Sequence, residues 1–220
     1  MKKLITLLVV LLGITTTASF AQSSFEGVIK AKLEATAVPE EMKGMEAMMS
    51  QQMTITMKGE QTKVESLGAM GTTTMLMDYQ KRESVLLMDM MGTKTAVKDQ
   101  LSENDTPGMN FQVEGGKFEA TTQTKSIAGH NCTLYKVTTG EEGETFNVDM
   151  WIATDLHITE NDGTPGTPFE YTFSAEGITM TYQITEVSKQ TIAASAFAIP
   201  EGYTVQTKEE FEKQYPMMKD

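Results

Sequence analysis

Few side chains in this sequence have the chemistry for catalysis or metal binding. The chain holds one cysteine, two histidines and 18 methionines among its 220 residues. His130 and Cys132 stand two apart in Ser126-Ile-Ala-Gly-His-Asn-Cys-Thr-Leu-Tyr135, and His157 stands alone in Asp155-Leu-His-Ile158. Structural zinc takes four nitrogen or sulfur ligands in tight spacings, and two histidines with one cysteine fall short of that. A Cys–His pair becomes a nucleophile and base only with an orienting carboxylate and an oxyanion hole, which spacing alone does not supply. No G-x-S-x-G, H-E-x-x-H or phosphate-cradling glycine loop occurs. Gly140-Glu-Glu-Gly-Glu144 lacks the alternating ligands of a calcium loop and reads as a solvated hairpin tip. Asn131-Cys-Thr133 satisfies the N-glycosylation pattern, which only a eukaryotic secretory pathway would use. The expectation is a non-enzymatic protein with no cofactor and no metal ligated by these residues.

Methionine is the compositional anomaly. Met42, Met45, Met48 and Met49 recur at spacings of three and four; Met53 and Met57 follow, then Met75, Met77 and Met88-Asp-Met-Met91. The thioether side chain is flexible and polarizable, so a methionine-lined surface adapts to apolar ligands of varied shape. Thioethers also ligate Cu(I), although here they alternate with Leu, Ile and Thr and have no His or Cys beside them. Plain core filling is the third reading. The candidate ligand-binding set is Met42, Met45, Met49, Met53, Met57, Met75 and Met77.

The elements that must position these residues are strands. Phe25, Gly27, Ile29, Ala31, Leu33 and Ala35 share one face, with Glu26, Lys30, Lys32 and Glu34 on the other. Met53, Ile55 and Met57 alternate with Thr54 and Thr56; Phe146, Val148, Met150 and Ile152 alternate with Asn147 and Asp149. Phe169, Tyr171 and Phe173, then Ile178, Met180, Tyr182 and Ile184, repeat the pattern. A period of two with one apolar face describes half-buried antiparallel strands. Turn signals at Lys58-Gly-Glu60, Gly68 to Gly71, Gly115-Gly116, Gly140 to Gly143 and Glu176-Gly177 separate them, giving roughly nine or ten strands in a meander. Asn161 to Pro168 reads as a long hairpin loop.

Two segments depart from this. Val38 to Gln52, with Pro39 at a first helical position and Glu40 and Glu41 in the first turn, predicts a short amphipathic helix carrying the methionine stripe, weakened by Gly44. Lys208 to Gln214 predicts a short C-terminal helix. Two helices cannot cover so many strands if the sheet is flat. The expected fold is therefore mainly β: a curled antiparallel sheet, a half-barrel, with the methionine-rich helix in or over its concave face.

Met1-Lys-Lys, the apolar run Leu4 to Gly13 and small residues up to Ala21 read as a cleavable signal peptide over residues 1–21, leaving one β-rich domain over 22–220. That apolar run is too short to span a bilayer, and no later segment is long and apolar enough to do so. Gln22 stands where a lipoprotein signal would place a cysteine, so the expected location is the periplasm, without a lipid anchor. With one cysteine there is no internal disulfide, and packing must carry the stability. The net charge of −12 becomes more negative once Lys2 and Lys3 leave, and no basic cluster interrupts it. Such a balance repels nucleic acid and anionic lipid surfaces.

The stretch Thr124-Lys-Ser-Ile-Ala-Gly-His-Asn-Cys-Thr-Leu-Tyr-Lys136, the strand Phe146-Asn-Val-Asp-Met-Trp-Ile152 with Asp155-Leu156, and Phe197-Ala-Ile-Pro-Glu-Gly-Tyr203 together resemble an uncharacterised family of exported bacterial proteins. That family carries an I-A-G-x-x-C-x-x-Y motif, and His130 stands where it more commonly has tyrosine. The resemblance implies a fold similar to the outer-membrane lipoprotein carrier superfamily, a curled antiparallel sheet holding helices in its concave face. It brings no catalytic residues. The functional expectation is a periplasmic binding protein for a lipid or acyl-type ligand. The alternatives are a methionine-based Cu(I) binder, and a cell-envelope structural or assembly partner, its protein partner unknown, that takes no small ligand.

Overall fold

The computed structural model describes residues 25–215 apart from 70, 91, 103–115, 140–145, 159–163 and 176. The expected signal peptide, the acidic tip at 140–144, part of the turn at 115–116 and part of the 161–168 loop lie outside the described residues.

Two meanders make one sheet. The first runs β1 (Gly27–Ala37), β2 (Gln51–Lys58), β3 (Gln61–Gly68), β4 (Gly71–Asp78), β5 (Glu83–Met90) and β6 (Thr93–Gln100). The second runs β7 (Lys117–Ile127), β8 (His130–Thr139), β9 (Phe146–Ala153), β10 (Thr167–Ala175) and β11 (Ile178–Lys189). Antiparallel pairing of β1 with β11 joins them. A last short strand, β12 (Thr204–Thr207), adds to β6 in parallel. The result is one curled, open 12-stranded sheet in the order β12-β6-β5-β4-β3-β2-β1-β11-β10-β9-β8-β7.

At the central seam the backbones come close. A Cβ on Gly27 would lie 2.2 Å from the carbonyl oxygen of Ser188 on β11, so only glycine fits there. Above this seam sits the main core: Phe25, Ile29, Ile55, Met57, Phe169, Ile184 and Tyr182, with Leu156 and Ile158 from the chain after β9. Phe169, Ile29, Ile55 and Ile184 are fully buried. A β-bulge between Pro168 and Glu170 gives β10 an extra residue opposite β9, and Phe169 occupies it. Thr167 ties the returning segment down: its hydroxyl donates to the Leu156 carbonyl at 2.8 Å and accepts from the Ile158 amide at 3.2 Å.

A parallel strand needs a long crossover, and residues 190–203 supply it. The Ile192 amide donates to the Glu26 carboxylate at 2.8 Å, and Lys58 donates to the Ile192 carbonyl. The Ile192 amide and then Lys58 hold the Glu26 carboxyl below its usual range. Further on, Ile199 and Tyr203 pack on Leu76, Leu87 and Ala96 of β4, β5 and β6. This strap covers one side of the first meander. The chain closes in α2 (Lys208–Gln214), the helix expected there, opened by a capping box between Thr207 and Glu210.

The other expected helix takes a different form. The segment after β1 makes a 3-10 turn at Glu40–Met42 and a single α-turn, α1 (Glu46–Met49). Gly44, at φ 88°, breaks the helical path between them.

Candidate functional site

Side chains alternate across a strand, so the registers decide which residues share a face. Met57 on β2 lies opposite Thr62 on β3, which lies opposite Met77 on β4. Ile55, Val64 and Met75 form the next row, and Met75 faces Leu86 on β5. Met53 pairs with Ser66, and Thr73 with Met88. One face of β2–β5 therefore carries Met53, Met57, Met75, Met77 and Met88. Met57 is buried, while Met53, Met75, Met77 and Met88 are half-buried. The Tyr79 hydroxyl donates to the Met77 sulfur at 3.2 Å and fixes that side chain. No position on this face of β2, β3 and β4 holds a charged residue.

The same face continues across the seam in aromatic form. Leu33 on β1 pairs with Tyr182 on β11, and Tyr182 with Tyr171 on β10. The two tyrosine rings stack at 5.1 Å, with Phe173 6.0 Å from Tyr171 and 37% exposed. Burial pushes the Tyr171 phenol up to about 12, and burial with the neighbouring Tyr171 pushes Tyr182 up as well. Both stay neutral at physiological pH. Met150, Val148, Tyr135 and Val137 extend the face onto β9 and β8.

Of the seven residues expected to bind ligand, Met53, Met57, Met75 and Met77 come together. Met42, Met45 and Met49 lie in the connection between β1 and β2, off the sheet. There α1 packs against β1, no residue of either turn is buried, and Met45 is 41% exposed. Ala47 of this connection lines a depression of about 670 Å³ together with Met53 and with Lys30, Lys32, Gln52 and Thr54, whose side chains the register puts on the other face of the sheet from Met53. The candidate ligand-binding set left out Met88, although the methionine-rich stretch 88–91 was noted, and also Leu86 and Thr62. The even numbering of β3 and β5 against the odd numbering of β2 and β4 would have located them, given the hairpin registers.

The opposite face of the second meander is charged and internally paired. Lys125 sits 2.6 Å from Glu170 and 4.3 Å above the Trp151 ring, and Gln183 donates to Glu170 at 2.6 Å. His130 and Cys132 do not form a pair. The His130 ring contacts Asp155 at 3.0 Å and Phe169 at 5.0 Å, while the Cys132 thiol leans on the backbone carbonyl of His130 at 3.8 Å. Cys132 is fully buried, and desolvation pushes its thiol up to about 11. A neutral thiol without access is a core side chain. Among the described residues, no three of His, Cys, Asp and Glu gather in a way that would hold a metal ion.

The fold and this face together define an open, curled, mainly antiparallel β-scaffold that presents one apolar face, rich in methionine and uncharged across β2–β5 and aromatic across β8–β11. Residues 25–161 match the model of a domain of unknown function (DUF4412), and the chain belongs to that family. No curated protein matches the chain. Among solved structures it is similar to PNGF-II in a P21 space group at 11% identity and a TM-score of 0.45, covering 87% of this chain and 33% of that one. PNGF-II in a C2 space group gives 11% identity and a TM-score of 0.42, covering 85% and 32%. The chain thus spans about a third of the length of those chains.

Proposed function

We propose that this chain is an exported, periplasmic, non-enzymatic binding protein that takes a lipid or other hydrophobic ligand on its methionine face. One observation carries the reading. Met53, Met75, Met77 and Met88, from three of the four successive strands β2–β5, share a face that carries no charge across those strands, and stay only half-buried in the folded chain. Flexible thioethers left partly accessible conform to an acyl chain, and each methylene buried against them contributes about 0.8 kcal/mol. Ten such methylenes contribute about 8 kcal/mol gross, the free energy of micromolar binding before association costs, so a tight ligand must bury a longer chain or add polar contacts. The signal-peptide reading of residues 1–21 supports export.

The test is saturable uptake of a fluorescent fatty-acid probe, compared with Met75→Glu, which places a charge in the middle of the face. Wild-type protein should saturate, and the variant should lose at least about tenfold in affinity while keeping its circular dichroism. Absence of saturable uptake by the wild-type protein, or equal uptake by the variant, ends this reading. The same grouping of thioethers favours a second reading, Cu(I) binding, for which stoichiometric metal uptake against a competing chelator is the distinguishing result.

A further inference from the structure

Thr62 sits on the methionine face next to the β2–β3 turn, flanked by Met57 on β2 and Met77 on β4. It is fully buried, and its hydroxyl has no hydrogen-bond partner among the described residues. Thr167, equally buried, shows the usual state of such a group, with its hydroxyl both donating and accepting. Valine has the same shape as threonine and would fill the Thr62 position without desolvating a hydroxyl for no return. The neighbouring thioethers offer it little, because the Met77 sulfur already accepts from Tyr79. Left unmatched among the described residues, this hydroxyl is available to a hydrogen-bond acceptor brought by a ligand.

The surroundings limit that partner. The face positions of β2, β3 and β4 carry no Lys, Arg or His, so an ionised carboxylate would be buried there without a counter-charge. An uncharged carbonyl oxygen needs only one donor. Met57 turns about three side-chain bonds and can swing aside to admit it, while Tyr79 holds Met77 in place. We propose that the Thr62 hydroxyl donates to the uncharged carbonyl oxygen, an ester or amide, of an acyl ligand bound on the methionine face. This rests on the binding reading above and adds where the polar end of the ligand goes.

Displacement of a fluorescent naphthylamine probe from the full chain separates the two ideas, using methyl decanoate, decane and ionised decanoate as competitors. Thr62→Val should weaken methyl decanoate by about threefold to tenfold and leave decane unchanged, whereas Thr62→Ser should keep the ester's affinity. In wild-type protein the ester should outcompete ionised decanoate. Without ligand, Thr62→Val should melt about 2–4 °C higher, since the unmatched hydroxyl is gone. If the probe binds but Thr62→Val leaves the ester unaffected, or weakens ester and decane alike, the carbonyl assignment falls and the binding reading stands. Equal competition by ester and ionised decanoate likewise overturns the uncharged carbonyl. If the probe does not bind the wild-type protein, both fall together.

Discussion

Cys132 offers the most direct check on the packing of the second meander. Its side chain lies opposite Ala153 on β9 and shows no exposed surface. Burial raises its thiol from 9.0 to about 11. At pH 8 such a thiol holds about a hundredfold less thiolate than an ordinary cysteine, and the thiolate is the species that attacks a disulfide reagent. The alternative route, local opening of β8, exposes an ordinary thiol but only in a small fraction of molecules; an opening free energy of about 3 kcal/mol makes that fraction under 1%. By either route native protein should react with an aromatic disulfide reagent at least about a hundredfold more slowly than protein unfolded in guanidinium. The same shift sets a pH dependence. The folded thiol keeps its proton to a higher pH than the unfolded one, so its contribution is fully present below pH 9 and is lost as pH rises from about 9 to 11. That loss amounts to about 2–3 kcal/mol, and Tyr171, pushed up to about 12, adds a loss of the same sign above pH 10. A native reaction rate within tenfold of the unfolded one, or equal stability at pH 8 and pH 11 in denaturant titrations, would refute this placement of Cys132.

Two further outcomes test the fold itself. Phe169→Ala should cost about 3–5 kcal/mol in guanidinium unfolding, because Phe169 is fully buried in the main core. Leu67→Ala, at a site 54% exposed, should stay within about 0.5 kcal/mol, and similar losses for both would contradict the burial. The β7–β8 hairpin turns on Ala128 and Gly129, at φ 49° and 85°, the pair of positive values that a two-residue type I′ turn demands. Ala128→Asn should therefore stabilise by up to about 1 kcal/mol, and a lowered melting temperature would show that the turn is of another kind.

Where one face of a strand is packed and the other wet, the alternation was readable: β1, β2, β9 and β11 follow the expected faces. The count of nine or ten strands fell short of 12 for identifiable reasons. β3 reads Gln61-Thr-Lys-Val-Glu-Ser-Leu-Gly68, with only two large apolar residues, and the core position Thr62 is filled by a polar one. β12 is four residues long and exists because β6 offers a free edge, which no local pattern encodes. The three-and-four spacing in residues 42–49 is a true helical period. Periodicity does not register the backbone sign at Gly44, though, and that sign splits the helix.

The methionine face was half legible for a related reason. Parity within a strand is a local property, so Met53 with Met57, and Met75 with Met77, could be paired by eye. Whether the two pairs share a face depends on what lies between them. The β2–β3 turn spans Gly59 and Glu60, and the β3–β4 turn spans residues 69 and 70, each closing on a paired residue at both sides. The β4–β5 connection spans the four residues 79–82. Every one of these connections is even in length, so facing side chains alternate odd, even, odd, even from β2 to β5. Methionines at 53, 57, 75, 77 and 88 obey that alternation, and so does the threonine at 62. An odd turn between β2 and β3 or between β3 and β4 would send the methionines of β2 and β4 to opposite sides of the sheet, and an odd β4–β5 connection would separate Met88 from both. The face is thus a joint product of residue choice and turn length, and Thr62 belongs to it by the same arithmetic that places the methionines.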